Sequence, residues 1–261
     1  MFENISIGIK TFLRDEHLFN TIHAIQKNFD NAQMIIADCG DHSEEKDGIY
    51  ADLARDGHHV IQLPFDAGFG VMSNAIVDVL KRPYLLTGSD DFDFAPKSVR
   101  EGIMSLENTL IDFRNIDIVS GRVNTRPYEF NLLELDGEIT EVPLFSIKNA
   151  AHENHYLSVN PCDLTVNYSL IRNKVFDTIR WDDDVKIGGG EHGAFFLDCM
   201  RAGIKTAYVP YVNINEQQVR NSERYRQFRN RANCDARPCF MKRGVKKYIL
   251  GDGRVDYQEK Q

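Results

Sequence analysis

The sequence predicts an α/β fold: a mostly parallel, doubly wound sheet flanked by helices, with right-handed crossovers. Two observations carry the prediction. Strand-like and helix-like segments alternate four or five times over roughly the first 120 residues. Apolar runs such as Met34-Ile35-Ile36-Ala37 and Tyr84-Leu85-Leu86 are unbroken by polar residues, as in strands covered on both faces, and are far too short to cross a membrane.

In order along the chain, Ile5, Ile7 and Ile9 alternate with Ser6, Gly8 and Lys10, a first strand. Leu18, Ile22, Ile25 and Phe29 follow at helical spacing, with Asp15 as the expected N-cap. The second strand ends at Asp38, and Cys39-Gly40-Asp41 turns the chain. A weaker helix from Gly48 to Arg55 and a third strand from Val60 to Leu63 precede Pro64. The glycine loop Asp66 to Gly70 leads into a helix with Met72, Ile76 and Val79 on one face, ended by Pro83. After the strand from Tyr84, Pro96 suits the first position of a helix carrying Val99, Ile103, Leu106 and Leu110. Ile116 to Val119 is the next strand.

From Gly121 the texture changes. Val123 to Val142 reads as a β-hairpin turning at Asp136-Gly137. Leu164 to Leu170 reads as one more strand, and Trp181 to Gly190 as a loop too flexible to be core. Glu191 starts a helix with Phe195, Phe196, Cys199 and Met200 inward and Gly203 just past its end. Thr206 to Val209 is a last strand, closed by Pro210, and a tail helix is expected from about Asn221 to Arg231.

With 261 residues and 42% hydrophobic content, the chain is long enough for one large α/β domain with a small appendage. Five scattered cysteines without a CxxC pair argue against a zinc site or disulfide framework. The N-terminus enters a strand directly, without the pattern of a signal peptide, so a reducing, cytoplasmic setting is expected. The net charge of −8 is unevenly placed: between Arg220 and Lys247, ten Lys/Arg face only Glu223 and Asp235. That asymmetry suggests a polyanionic partner for one face.

The chemistry concentrates in Ser89-Asp90-Asp91-Phe92-Asp93. Three carboxylates within four residues repel one another unless a cation is shared. Their place at the carboxyl end of a strand is where open α/β sheets bind ligands. Hard divalent ions take one or two such carboxylates plus substrate phosphates, so a metal-diphosphate site is one reading and a solvated acidic turn the other.

Taken in order, the pieces resemble the GT-A glycosyltransferases, closest in texture to the family 2-like enzymes and the GalNAc transferases that build gangliosides. The matching pieces are Ile9 to Arg14, Ile35 to Asp41, Pro64-Phe65 with the glycine loop and Asn74, Ser89 to Phe92, and Gly190-Glu191-His192 followed by Phe195-Phe196. The likeness covers about residues 5 to 212. It implies a GT-A, Rossmann-like catalytic domain over residues 1–212, with a nucleotide-sugar half at 1–120 and an acceptor half at 121–212, followed by a basic C-terminal extension at 213–261.

The resemblance further implies an inverting enzyme that uses a UDP-sugar and Mn2+ or Mg2+. Thr11, Phe12 and Arg14 would line the nucleotide pocket, and Asp38 would accept the uracil N–H. Asp91 is the implied metal ligand, with Asp93 an added carboxylate, and Asp90 would face the ribose or a metal-bound water. Glu191, or else His192, is the implied base, and Gly189 and Gly190 would let the backbone approach the sugar. Trp181 would stack on a sugar ring, and Arg220, Arg224 or Arg226 would close over the diphosphate as a lid. The residues also allow structural readings: Asp38 as a turn starter, Arg14 as a surface charge, Trp181 as core, Glu191 as a helix start, and Asp182 to Asp184 as a solvated loop or a second carboxylate source.

The sequence departs from the family pattern at several points. Ser89 stands at the first acid of many relatives, Ser73 where an arginine often precedes Asn74, and Gly193 and Ala194 where further acids are usual. No late histidine follows Pro210; Asn213 and Asn215 stand there. Three functions are therefore weighed: a glycosyltransferase, a binding module of the same fold without catalysis, and a nucleotidyltransferase, for which Lys10 to Arg14 lacks a triphosphate loop. The cations of the tail interleave with Tyr225, Phe228, Phe240 and Tyr248. That mixing suits nucleic acid, so a hydroxymethylated base in DNA is one acceptor expected; a glycan or lipid-linked sugar is the other.

Overall fold

The structure is a computed structural model that describes residues 2–124, 128–144, 159–186, 191–230 and 237–259. The first half alternates as the sequence predicts: β1 (Ile5–Thr11), α1 (Asp15–Asn28), β2 (Gln33–Asp38), α2 (Glu44–Arg55), β3 (His59–Gln62), α3 (Phe69–Asp78), β4 (Tyr84–Ser89), α4 (Lys97–Asp112) and β5 (Ile118–Val123). The second half holds β6 (Phe130–Leu135), β7 (Glu138–Pro143), β8 (Asn160–Cys162), β9 (Ser169–Arg172), α5 (Glu191–Arg201), β10 (Thr206–Ile214), α6 (Glu223–Arg229), α7 (Arg237–Lys242), β11 (Lys247–Ile249) and β12 (Val255–Gln258).

Eight strands form one sheet in the order β3-β2-β1-β4-β9-β5-β10-β8. β1 to β4 run parallel, as do β5 and β10, while β9 and β8 are antiparallel to their neighbours. The chain winds outward from β1 through β2 to β3, then returns to lay β4 on the other side of β1. The strand order therefore reverses between β1 and β4, and their carboxyl ends frame the crevice where open sheets take ligands. Lys10 pairs in register with Ser89 there, and Thr11 with Asp38. One core lies under α1 and α4 and contains Leu18, Ile22, Ile103 and Leu106. The core on the opposite face gathers Met72, Ile76, Phe195 and Phe196 with Tyr225, Phe240 and Tyr248 of the tail.

A second sheet, β12-β11-β7-β6, is built on the expected hairpin. Its turn residues Asp136 and Gly137 both have positive φ, 51° and 86°, the conformation a two-residue hairpin turn demands. Gly203 likewise has φ 75° just past α5.

Several boundaries differ from expectation, each for a tertiary reason. Arg14, not Asp15, holds the N-cap position of α1, because the Asp15 carboxylate instead pairs with Lys46 at 2.6 Å. Pro210 does not close β10; the register shifts between Tyr208 and Asn213, and this irregularity absorbs the residue that cannot donate. The strand expected at 164–170 lies at Ser169–Arg172, with only an isolated bridge from Leu164 to Phe130. The expected loop after Trp181 is packed where it is described. Trp181 and Val185 are buried, Asn74 bonds the Trp181 backbone in both directions, and a Cβ on Gly70 would stand 1.8 Å from the Asp182 carbonyl oxygen. Among the described residues no helix is long and apolar enough to cross a membrane, and Cys39, Cys162 and Cys199 are buried free thiols.

Candidate active site

Arg14 organises the crevice. It follows β1 directly, and the acids it meets follow β4, so the neighbouring strand ends bring them together. Its guanidinium donates to both oxygens of Asp90, to Asp91 Oδ2 at 2.6 Å and to Ser89 Oγ at 3.4 Å. Its other face lies over the Tyr225 ring, 4.7 Å from the centroid. Planarity and five fixed donors suit Arg to this double clasp. Asp90 is fully buried, and burial pushes its carboxyl up to about 6 even though Arg14 pulls it down. Burial also raises the Asp91 carboxyl, but Arg14 and its hydrogen bonds outweigh that and hold it below the usual carboxylate range. With 17% of its side chain exposed, Asp91 is the more open of the pair.

A strap leaving β10 fixes the backbone of these acids, and sequence reasoning missed it. The Gln217 amide nitrogen donates to the Asp91 carbonyl at 2.6 Å. Its side-chain nitrogen reaches the Asp90 and Phe92 carbonyls, the Thr21 hydroxyl and the His17 carbonyl. Asn215, which stands where the family's late histidine is missing, contributes its carbonyl to the Asp93 N–H at 2.8 Å. Only the pairing of residues more than 120 positions apart reveals this role; a lone glutamine in an irregular segment carries no local signal.

Across the crevice, Glu191 and His192 open α5, with His192 Nε2 3.5 Å from Glu191 Oε1. Burial lowers the His192 imidazole, and Lys10 adds to this while Glu191 opposes it. Burial lowers the Lys10 ammonium, at the end of β1, while Glu191 and, less strongly, Asp90 and Asp91 oppose it. Tyr128, just before β6, also lies in the field of Glu191, and its phenol is pushed up first by burial and then by Glu141 and Glu191.

The other expected residues divide. Thr11 and Phe12 are buried at the end of β1, and Phe12 meets Phe65 and Phe228 of α6 at centroid distances of 5.3 and 5.2 Å. Asp38 is buried and engaged: Oδ1 accepts the Gly40 N–H at 2.8 Å, and Oδ2 accepts from Tyr50 at 2.7 Å and Lys46 at 3.1 Å. That carboxylate closes a turn and neutralises a fully buried lysine, which leaves its oxygens little freedom to read a base. Trp181 does not offer a ring to solvent; it stacks on Phe195 at 4.2 Å and 9°. Asp93 accepts the Ala95 N–H and lines a separate cleft with Asn20, His23 and Lys27, so the acidic run does not converge on one point. Gly189 and Gly190 lie outside the described residues.

The basic tail meets acids of its own chain. Arg224 pairs with Asp41, Arg226 with Glu223, Lys242 with Asp182 and Asp184, Arg243 with Asp182 and Asp198, and Lys247 with Glu138. Arg220 is exposed. Much of the charge asymmetry of the sequence is thus answered inside the molecule.

Among the described residues no group of three or more His, Cys, Asp or Glu side chains converges as a metal cluster. A hard divalent ion that shares a diphosphate needs only one or two carboxylates from the protein. Among the described residues Asp91 is one that fits: Arg14 holds its carboxyl below the usual range, and 17% of its side chain is exposed.

No family model matches the chain. Mus musculus beta-1,4 N-acetylgalactosaminyltransferase 2 is 28% identical over 130 residues, 49% of this chain and 23% of that protein. Homo sapiens beta-1,4 N-acetylgalactosaminyltransferase 1 is 30% identical over 109 residues, 41% of this chain and 19% of that protein. The chain spans about a fifth of the length of these curated relatives. Among solved structures, S. aureus TarS superposes with a TM-score of 0.52 and 13% identity, covering 82% of this chain and 60% of that one. GalNAc-T7 with UDP, GalNAc and Mn2+ superposes with a TM-score of 0.61 and 15% identity, covering 82% and 44%. A parallel sheet reversing at β1/β4, an acidic turn at that reversal, and these likenesses together give the chain the GT-A fold of the glycosyltransferases.

Proposed function

We propose that the chain is an inverting, metal-dependent glycosyltransferase that moves a sugar from a UDP-sugar to a glycan hydroxyl. One observation carries this reading: Lys10 pairs in register with Ser89 at the carboxyl ends of β1 and β4, beside Asp90 and Asp91, and its charge is also felt by Glu191, so a donor diphosphate and a base can share one crevice. Asp91 would hold the ion, Mn2+ as in the GalNAc-T7 complex or Mg2+, and the ion would supply charge stabilisation for the departing diphosphate. The chain's own residues do the rest. Phe65, shortly after β3 and exposed, offers aromatic surface to a base, with the buried Phe12 ring behind it. Glu191 takes the proton of the incoming hydroxyl, with His192, kept neutral by burial, held beside it. Attack from the face opposite the leaving diphosphate inverts the anomeric centre. Residues 213–261 act as the closing layer of the catalytic unit, since Tyr225 and Phe228 pack on Arg14 and Phe12.

A glycan acceptor is favoured over DNA because at least five of the tail's cations already pair with acids of the chain, which weakens any phosphate footprint. Both curated relatives are named for N-acetylgalactosamine transfer, which makes UDP-GalNAc the first donor to try. The test is UDP release with Mn2+ across glycan, water and hydroxymethylated-DNA acceptors. Release with a glycan, lost by about 10²-fold or more in Glu191→Gln, upholds the reading. UDP binding without turnover on any acceptor would instead identify a binding module, and turnover on DNA alone would restore the nucleic-acid acceptor.

A further inference from the structure

We propose that Lys10 is the diphosphate-gripping residue of this site, its ammonium bonding the phosphate oxygens of a nucleoside diphosphate between Asp91 and Glu191. The inference rests on the donor reading above and adds to it a specific protein contact for the leaving group. Lys10 is 8% exposed at the carboxyl end of β1, where the strand order reverses. Among the described residues it has no ion-pair partner. Asp90 and Asp91 are occupied by Arg14, and the Glu191 carboxylate lies 3.5 Å from the His192 ring. What its ammonium does meet is the face of Phe69, 5.5 Å from the ring centroid, at the first turn of α3.

A lysine largely withdrawn from water and left without an acceptor is costly to keep. Other buried cations of this chain show how the fold treats a structural charge. Lys46 is fully buried and bonds Asp15, Asp38 and the Asp41 carbonyl, and Arg14 has four acceptor contacts. Lys10 is the contrast: mostly enclosed, at the crevice end of β1, and without an acceptor among the described residues. Strand alternation puts it on the face shared with Gly8, whose Cβ would touch Ile76 of α3, which is also the face on which α5 packs. With none supplied by the described residues, an acceptor from outside must be anionic and compatible with the neighbouring carboxylates. A diphosphate that carries its own cation on the Asp91 side meets both conditions. It also takes the place of the arginine that Ser73 does not supply.

Calorimetric titration with UDP and with uridine, in the absence of divalent metal, tests this on the full chain. In Lys10→Met the Kd for UDP should rise about ten- to a hundredfold, the value of one charge-assisted bond, while the Kd for uridine stays within about twofold. Lys10→Arg should recover part of the UDP affinity. The thermal midpoint of Lys10→Met should equal or exceed that of the parent, because an unpaired buried charge has been removed. An unchanged UDP Kd in Lys10→Met overturns the inference and leaves the donor reading standing. Equal loss of UDP and uridine with a lowered midpoint overturns it in favour of a structural lysine. A parent chain that binds neither UDP nor uridine overturns the donor reading and this inference together.

Discussion

Replacing Arg14 with Met tests the centre of the crevice. The substitution keeps much of the side-chain volume against Tyr225 and removes every donor to Asp90, Asp91 and Ser89. Breaking a buried ion pair from one side costs about 3–5 kcal/mol, since the abandoned charge stays buried. A Coulomb estimate for unit charges ~4 Å apart at an effective dielectric of ~20 gives a similar figure, about 4 kcal/mol. The loss depends on pH with a definite sign. The Asp90 carboxyl already sits at about 6 in the folded state against 3.8 unfolded, so its contribution is fully present below 3.8 and declines as pH rises to 6. Without Arg14 the folded value climbs further, and the decline continues past neutrality at up to about 1.4 kcal/mol per pH unit. The gap between parent and variant should therefore widen from pH 6 to pH 8 by about 2 kcal/mol. Urea unfolding followed by circular dichroism at both pH values, in chelator, measures it. Mn2+ should then return about 2–3 kcal/mol at a hundredfold excess over its Kd, and more in the variant than in the parent, because Arg14 no longer competes for Asp91. Equal stability of the two proteins at pH 8, or a gap independent of pH, would refute the account of Arg14 as counterion to a buried acid.

Three further outcomes are expected. Glu129 is buried with neither carboxylate oxygen hydrogen-bonded, and burial pushes it up to about 7 against 4.5 unfolded, with Arg122 opposing. Its protonated form stabilises the fold below pH 4.5, and this is lost as pH rises to 7. Glu129→Gln should thus flatten that slope and gain about 2–3 kcal/mol at pH 8 in denaturant titrations, whereas an unchanged slope would show that Glu129 is not the group responsible. Gly70→Ala drives a methyl into the Asp182 carbonyl, so a loss of about 1–3 kcal/mol is expected in thermal melts, and a neutral result would mean that the 181–186 segment is not docked as described. Phe240 is buried between Tyr248 and Tyr257, and Phe240→Ala should cost about 3–5 kcal/mol; if the melt barely moves, the tail is not part of the core.

Local chemistry made much of this protein legible without coordinates. The strand ending in Ser89-Asp90-Asp91, the Asp136-Gly137 turn and the glycine past α5 are each specified by a few adjacent residues, because apolar runs, positive φ and helix caps are short-range demands. The acids Asp91 and Glu191 could likewise be singled out from their neighbours in sequence. What they face could not. Arg14 clasps acids 76 and 77 residues away, and Gln217 straps them from 127 positions downstream. Lys46 takes up the Asp38 carboxylate, and the basic tail spends its charge on acids of its own chain. Composition could only suggest an external polyanion for that tail, since net charge carries no record of distance. Trp181 was open in the same way: one indole serves a sugar or a core, and the Phe195 ring 4.2 Å away decides for the core. Propensity and pattern act along the chain, whereas ion pairs, burial and stacking act through space, and only the folded arrangement of β1, β4 and α5 determines which charges meet.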